Sequence, residues 1–168
     1  MEKVEDAIRT EMKNYNLTVT ARKDKNGTIA GSDIDMEPVF QGEIEKLLEE
    51  QNGFAWLILM FQKQEFELAK VVSYDEQKLD EAVRNLPCMK DQRTPVDATY
   101  SDYTRENGYA LVPADYGTQV DTAKVRKAVS DAVLVLDETV DLEQSGCYLE
   151  PAIGDDDKDL LALIDALN

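Results

Sequence analysis

This 168-residue chain contains no histidine, and its cysteines, its acidic runs and its tyrosines are the residues to weigh for chemistry. Without imidazole the commonest general base and metal ligand is missing, and with it serine-type triads and most zinc chemistry. Ser145-Gly146-Cys147 is the first stretch to weigh, since nucleophilic thiols often follow small residues. A catalytic thiol needs a base or a cation to lower its pKa. The sequence neighbours Glu143, Tyr148 and Glu150 offer the opposite, so Cys147 on its own is no competent nucleophile. Cys88 and Cys147 are the two cysteines of the chain. They could close one disulfide around the second half of the chain, as in an exported module, or pack as two separate thiols. The run Asp155-Asp156-Asp157-Lys158-Asp159 invites a calcium reading, but the bend glycine and closing glutamate of a calcium loop are missing. Helix capping explains these carboxylates, and the same holds for Asp24, Asp33 and Asp35 near turns. No metal and no cofactor is expected.

Tyrosine is the stronger lead. Seven occur, and Tyr100, Tyr103, Tyr109 and Tyr116 lie close together in sequence. Strand alternation places Ala98, Tyr100, Ala110 and Val112 on one face, suited to a core, and Tyr103, Tyr109 and Leu111 on the other. Exposed rings offer contact area to sugars or peptides at low entropic cost. Tyr103, Tyr109 and Tyr116 are therefore the candidate ligand-binding residues. The alternative is that these rings pack on a helix or a neighbouring domain.

The elements that would position these residues follow from charge and pattern. Lys and Arg number 18 against 35 Asp and Glu, a net charge of −17, so no basic stripe is available for nucleic acid. With 43% hydrophobic residues the chain can bury a real core. Its longest apolar run, Phe54 to Phe61, is too short to span a membrane as a helix and reads as core packing.

Sliding the sequence along itself gives a match at a constant offset of 81 residues. Thr18 falls on Thr99, Asn26-Gly27 on Asn107-Gly108, Val39 on Val120, and Ile44 to Leu48 on Val125 to Val129. Asp75, Leu79, Val83 and Leu86 fall on Asp156, Leu160, Ile164 and Leu167. The pattern predicts an α+β fold: a tandem repeat of helix–β-hairpin–helix–strand units with mainly antiparallel sheets, one unit over residues 1–86 and the second over 87–168. A helix over Val4–Met12 opens the first unit. Each hairpin turns at Asn-Gly, the strongest short-range hairpin signal. Helices follow over Gly42–Gln51 and Asp121–Val133, then strands over Phe66–Tyr74 and Cys147–Ile153. Closing helices begin at Asp75 and Asp156. Pro87 to Pro95 reads as the linker.

The second unit resembles a known family. Asn107-Gly-Tyr-Ala-Leu-Val-Pro-Ala-Asp-Tyr-Gly-Thr-Gln-Val-Asp121, a helix, and then Thr139-Val-Asp-Leu-Glu-Gln-Ser-Gly-Cys-Tyr-Leu-Glu-Pro151 are similar to the peptidoglycan-binding domain that precedes L,D-transpeptidase catalytic domains in Gram-positive bacteria. The likeness covers roughly residues 95–153, and the first unit looks like a divergent companion. The resemblance implies a strand at Val-Asp-Leu and a non-catalytic, extracytoplasmic module, with weak peptidoglycan contact through glycan or stem peptide. A membrane anchor would precede Met1, and a covalently linked catalytic domain would follow Asn168. The catalytic motif of that neighbouring domain resembles Ser-His-Gly-Cys followed by Arg. Ser145-Gly146-Cys147 has neither the His nor the Arg, so no catalytic residue carries over. The alternative is a structural spacer or protein–protein module without glycan affinity.

Overall fold

The computed structural model describes residues 2–39 and 72–168. Helix α1 (Glu2–Asn14) turns Ile8 and Met12, four residues apart on one face, into the core. Strand β1 (Asn16–Thr20) alternates as a half-buried strand should, with Leu17 and Val19 fully buried between polar neighbours. It pairs antiparallel with β2 (Gly27–Ala30), Leu17 opposite Ile29. The expected turn at Asn26-Gly27 is wider than a two-residue hairpin. A 3-10 turn over Arg22–Asp24 intervenes, and the Asn26 carboxamide oxygen closes the loop by accepting from the Ala21 N–H at 2.8 Å. Strand β3 (Glu37–Pro38) pairs antiparallel with β4 (Val72–Ser73).

Helix α2 (Glu76–Asn85) starts at Asp75, whose carboxylate accepts from the N–H groups of Gln77 and Lys78. Strands β5 (Thr99–Tyr100) and β6 (Leu111–Val112) form the second antiparallel hairpin. Helix α3 (Thr122–Leu134) is capped in the same way by Asp121, and buries Val125, Val129, Ala132 and Val133. Strand β7 (Thr139–Asp141) follows, and α4 (Lys158–Leu167), capped by Asp157, ends the chain. Three predicted helix starts thus fall on or next to a capping aspartate, which supplies an acceptor for N–H groups that have no partner inside the helix.

The expected α+β class is observed, with mostly antiparallel pairing. One pairing was not legible beforehand. The largest sheet runs β2-β1-β7, and β7 lies parallel to β1, Thr18 opposite Thr139 and Val19 opposite Val140. Leu17, Val19, Ile29 and Val140 face Ile8, Met12, Leu79, Val83, Val125 and Val129 in one hydrophobic cluster. Residues from both sides of position 86 share that core.

The strand expected over Cys147–Ile153 is absent apart from a single bridge between Val120 and Tyr148. Pro151 lacks an N–H, and the amides of Ala152 and Ile153 are taken instead by the Asp97 carboxylate at 2.7 and 3.2 Å. The strand implied at Val-Asp-Leu is the one that forms, as β7. The helix expected over Gly42–Gln51, the apolar run Phe54–Phe61 and the first part of the strand over Phe66–Tyr74 lie outside the described residues. Among the described residues no helix is long and apolar enough to cross a membrane.

Candidate functional site

The second hairpin carries an aromatic cluster. Its turn is closed by two backbone hydrogen bonds between Thr104 and Gly108, at 3.0 and 2.9 Å, with the Asn107 N–H donating to Thr104 Oγ1. Gly108 sits at φ +64°, where a side chain is disfavoured. A Cβ there would also lie 2.1 Å from the Asn168 carboxamide. That carboxamide, at the end of α4, behaves as a strand surrogate. Its Oδ1 accepts from the Tyr109 N–H at 2.8 Å and its Nδ2 donates to the Tyr109 carbonyl at 2.9 Å. The Tyr109 backbone is therefore held from outside the hairpin.

Tyr109 is half-buried between two rings: Tyr103 at 5.5 Å between centroids and Tyr100 at 5.9 Å, edge-on at 80°. Such tilted pairs suit the quadrupoles of the rings and add about 1 kcal/mol beyond burial. Tyr103 is 60% exposed and Tyr100 is 43% exposed. Tyr103 and Tyr109 thus come together as expected. Tyr100, assigned to a core face, instead joins them in solvent, and Ala110 and Val112 are exposed as well. Ala98 alone of that set is buried. Strand alternation buries one face only where a second layer lies behind the hairpin. Each strand is only two residues long, and among the described residues α4 packs beside β5.

Tyr116 takes no part in the ring cluster. Its side chain is exposed, while its carbonyl accepts from Arg22 Nη1 at 3.0 Å. Arg22 is a junction that composition and spacing did not mark. Its guanidinium grips Glu143 through Nε and Nη2 at 2.5 and 2.6 Å, and reaches Glu150 at 3.1 Å. It also lies 4.1 Å from the Tyr148 ring centroid, and the Tyr148 hydroxyl accepts from the Arg22 N–H. Bidentate geometry and a π face are what guanidinium supplies and an ammonium does not. The hydrogen bond from Arg22 and its charge hold the Glu143 carboxyl below the usual carboxylate range.

Cys88 and Cys147 stand as free, buried thiols, the second of the two arrangements open from sequence. Burial pushes both thiols up, opposed at Cys88 by a backbone hydrogen bond and then Lys25, and at Cys147 by Lys124. The acidic tail is engaged with backbone. Asp155 accepts from the Ala114 N–H at 2.7 Å and Asp157 from the Leu160 N–H at 2.9 Å. Among the described residues no group of three metal-ligating side chains converges. Against known proteins, the chain matches no family model, no curated sequence and no solved structure.

Proposed function

We propose that the chain is a non-catalytic, extracytoplasmic module of a cell-wall L,D-transpeptidase-like protein, built from two related units. It positions a covalently linked catalytic domain and touches peptidoglycan weakly through Tyr103 and Tyr109, with Tyr116 at the margin. The observation that carries this reading is the solvent-facing ring cluster on a hairpin whose backbone is clamped by Asn168. Large exposed rings on a fixed backbone pay little entropy on contact with a sugar face or a short peptide. Weak contact suffices for such a role, because tethering raises the local concentration of wall substrate near the linked domain. The resemblance over residues 95–153 supplies the cell-wall context, and the offset match supplies the two-unit reading.

Co-sedimentation with purified peptidoglycan, with and without wall teichoic acid, tests it. Saturable binding that a Tyr103→Ala/Tyr109→Ala double variant loses is the expected result. No sedimentation at high micromolar protein overturns glycan contact and leaves a spacer or a protein–protein module. The exposed Leu161, Leu163 and Leu167 of α4 would then be the surface to pursue.

A further inference from the structure

The sheet ends, among the described residues, at β7, a strand paired with β1 on one side only. In the β1–β7 ladder the Thr18 N–H donates to the Glu138 carbonyl at 2.9 Å, and the Leu142 N–H to the Thr20 carbonyl at 3.1 Å. That register turns the backbone groups of Val140 toward β1 and those of Thr139 and Asp141 away from it. The Asp141 carbonyl is taken by Ser145, through its N–H and its hydroxyl. The Thr139 N–H, the Thr139 carbonyl and the Asp141 N–H have no partner among the described residues. An edge with donor, acceptor and donor in strand register is a template for one more strand.

Beside β7 lies an open cleft of about 610 Å³, walled on its other side by α3. Ala128, Ala132 and Val135 of the helix and Val140 of the strand give it small apolar surfaces. Its charges are segregated by end. At one end Lys124, in the first turn of α3, makes no ion pair among the described residues, and its Nζ reaches only the Gly146 carbonyl at 3.3 Å. A Cβ built on Gly146 would meet nothing within 4 Å, so there is room beside it. At the other end are Asp131 and Asp137, while Lys127 is occupied by Asp131 at 2.5 Å.

We propose that this cleft docks an extended peptide with free termini, added as a strand parallel to β7, its carboxylate at Lys124 and its amine at Asp137. The polarity follows from charge complementarity. β7 runs from the Asp137 end toward Gly146, so a chain with its carboxylate at Lys124 runs the same way. In a parallel pair the Thr139 N–H and carbonyl engage two residues of the incoming strand that are two positions apart. The positive end of the α3 dipole adds to the Lys124 charge. A second copy of this chain is the poorer occupant, because two molecules of net charge −17 repel. The proposal does not depend on the cell-wall reading.

Residue-resolved amide exchange on the full chain tests it. The probe is a hexapeptide of alternating threonine and valine with free ends, compared with its acetylated, amidated twin. At saturation the free peptide is expected to slow exchange at Thr139 and Asp141 by about tenfold or more, with Leu17 unchanged. The capped twin is expected to need about fivefold more peptide for the same effect. Lys124→Gln is expected to narrow that difference between the two peptides, leaving only the share that the amine owes to Asp137. Thr139→Pro, which removes the outward N–H at a position whose amide makes no bond to β1, is expected to abolish the protection at Asp141, with an unchanged Leu17 exchange rate showing that the β1–β7 ladder is kept. Unchanged exchange with both peptides overturns the proposal. So does slow exchange at Thr139 in the free chain, which would mean that the edge is already paired. Protection that grows with protein concentration instead of with peptide overturns it in favour of a second copy.

Discussion

Arg22 joins parts of the chain that lie far apart in sequence, and its side chain is only 18% exposed where it meets Glu143 and Glu150. Removing it leaves two carboxylates and the Tyr116 carbonyl without their shared donor. Arg22→Leu is expected to lower stability by about 2 kcal/mol, read as a shift in urea midpoint with unchanged slope. The pH dependence follows from Glu143. Its pKa is depressed in the folded state, so its contribution is complete above the ordinary value of 4.5 and is lost as pH falls through the folded value. The midpoint difference between the parent and Glu143→Gln should therefore be constant from about pH 7 to about pH 5 and shrink below that. Gly31 makes a different kind of residue-scale demand. A Cβ there would lie 2.0 Å from the Met12 carbonyl oxygen, so the end of α1 would have to move. Gly31→Ala is expected to cost about 3 kcal/mol in the same measurement.

Helices begin where the sequence says they should, because capping is local chemistry. Asp75 and Asp121 each stand just before an apolar periodic run, and each accepts two backbone N–H groups. Asp121→Ala is expected to cost about 1 kcal/mol, seen as a lower thermal midpoint, with Asp121→Asn recovering most of it. The Asn-Gly pairs likewise marked both hairpins. What escaped a local reading was set by distant partners. The strand implied by Val-Asp-Leu formed, yet nothing in Thr139–Asp141 announces that it lies parallel to β1. The strand expected over Cys147–Ile153 failed because Asp97, fifty-odd residues earlier, captures its amides. Tyr100 was placed in a core because alternation presumes a layer on one side of the hairpin. Of the candidate site, the ring pair Tyr103–Tyr109 was legible in sequence, while Asn168 and Arg22 were not. Asn168→Ala is expected to speed amide exchange at Tyr109 by about tenfold and leave Leu17 unaffected.

The molecule as a whole carries a net charge of −17, and its described residues share one hydrophobic cluster. Like charges spread over the surface favour the expanded chain, and salt screens them. Raising ionic strength from about 0.01 M to about 0.15 M should raise the thermal midpoint by roughly 3 °C, the reverse of a fold held by exposed ion pairs. The cluster itself draws on Ile8 and Met12 of α1 as well as on Val140, Leu142 and Tyr148 far along the chain, so loss of α1 should weaken a core shared with β7. The parallel seam between β1 and β7 has a further consequence during biosynthesis. Some 120 residues separate Thr18 from Thr139, and at about 5–20 residues per second a ribosome needs roughly 6–24 seconds to make them. For that interval β1 is without its β7 partner, a period in which a nascent chain is exposed to chaperones, to proteases and to neighbouring copies of itself. Slow synthesis should therefore be the condition under which this acidic protein is lost to aggregation or degradation, well before its finished fold is tested.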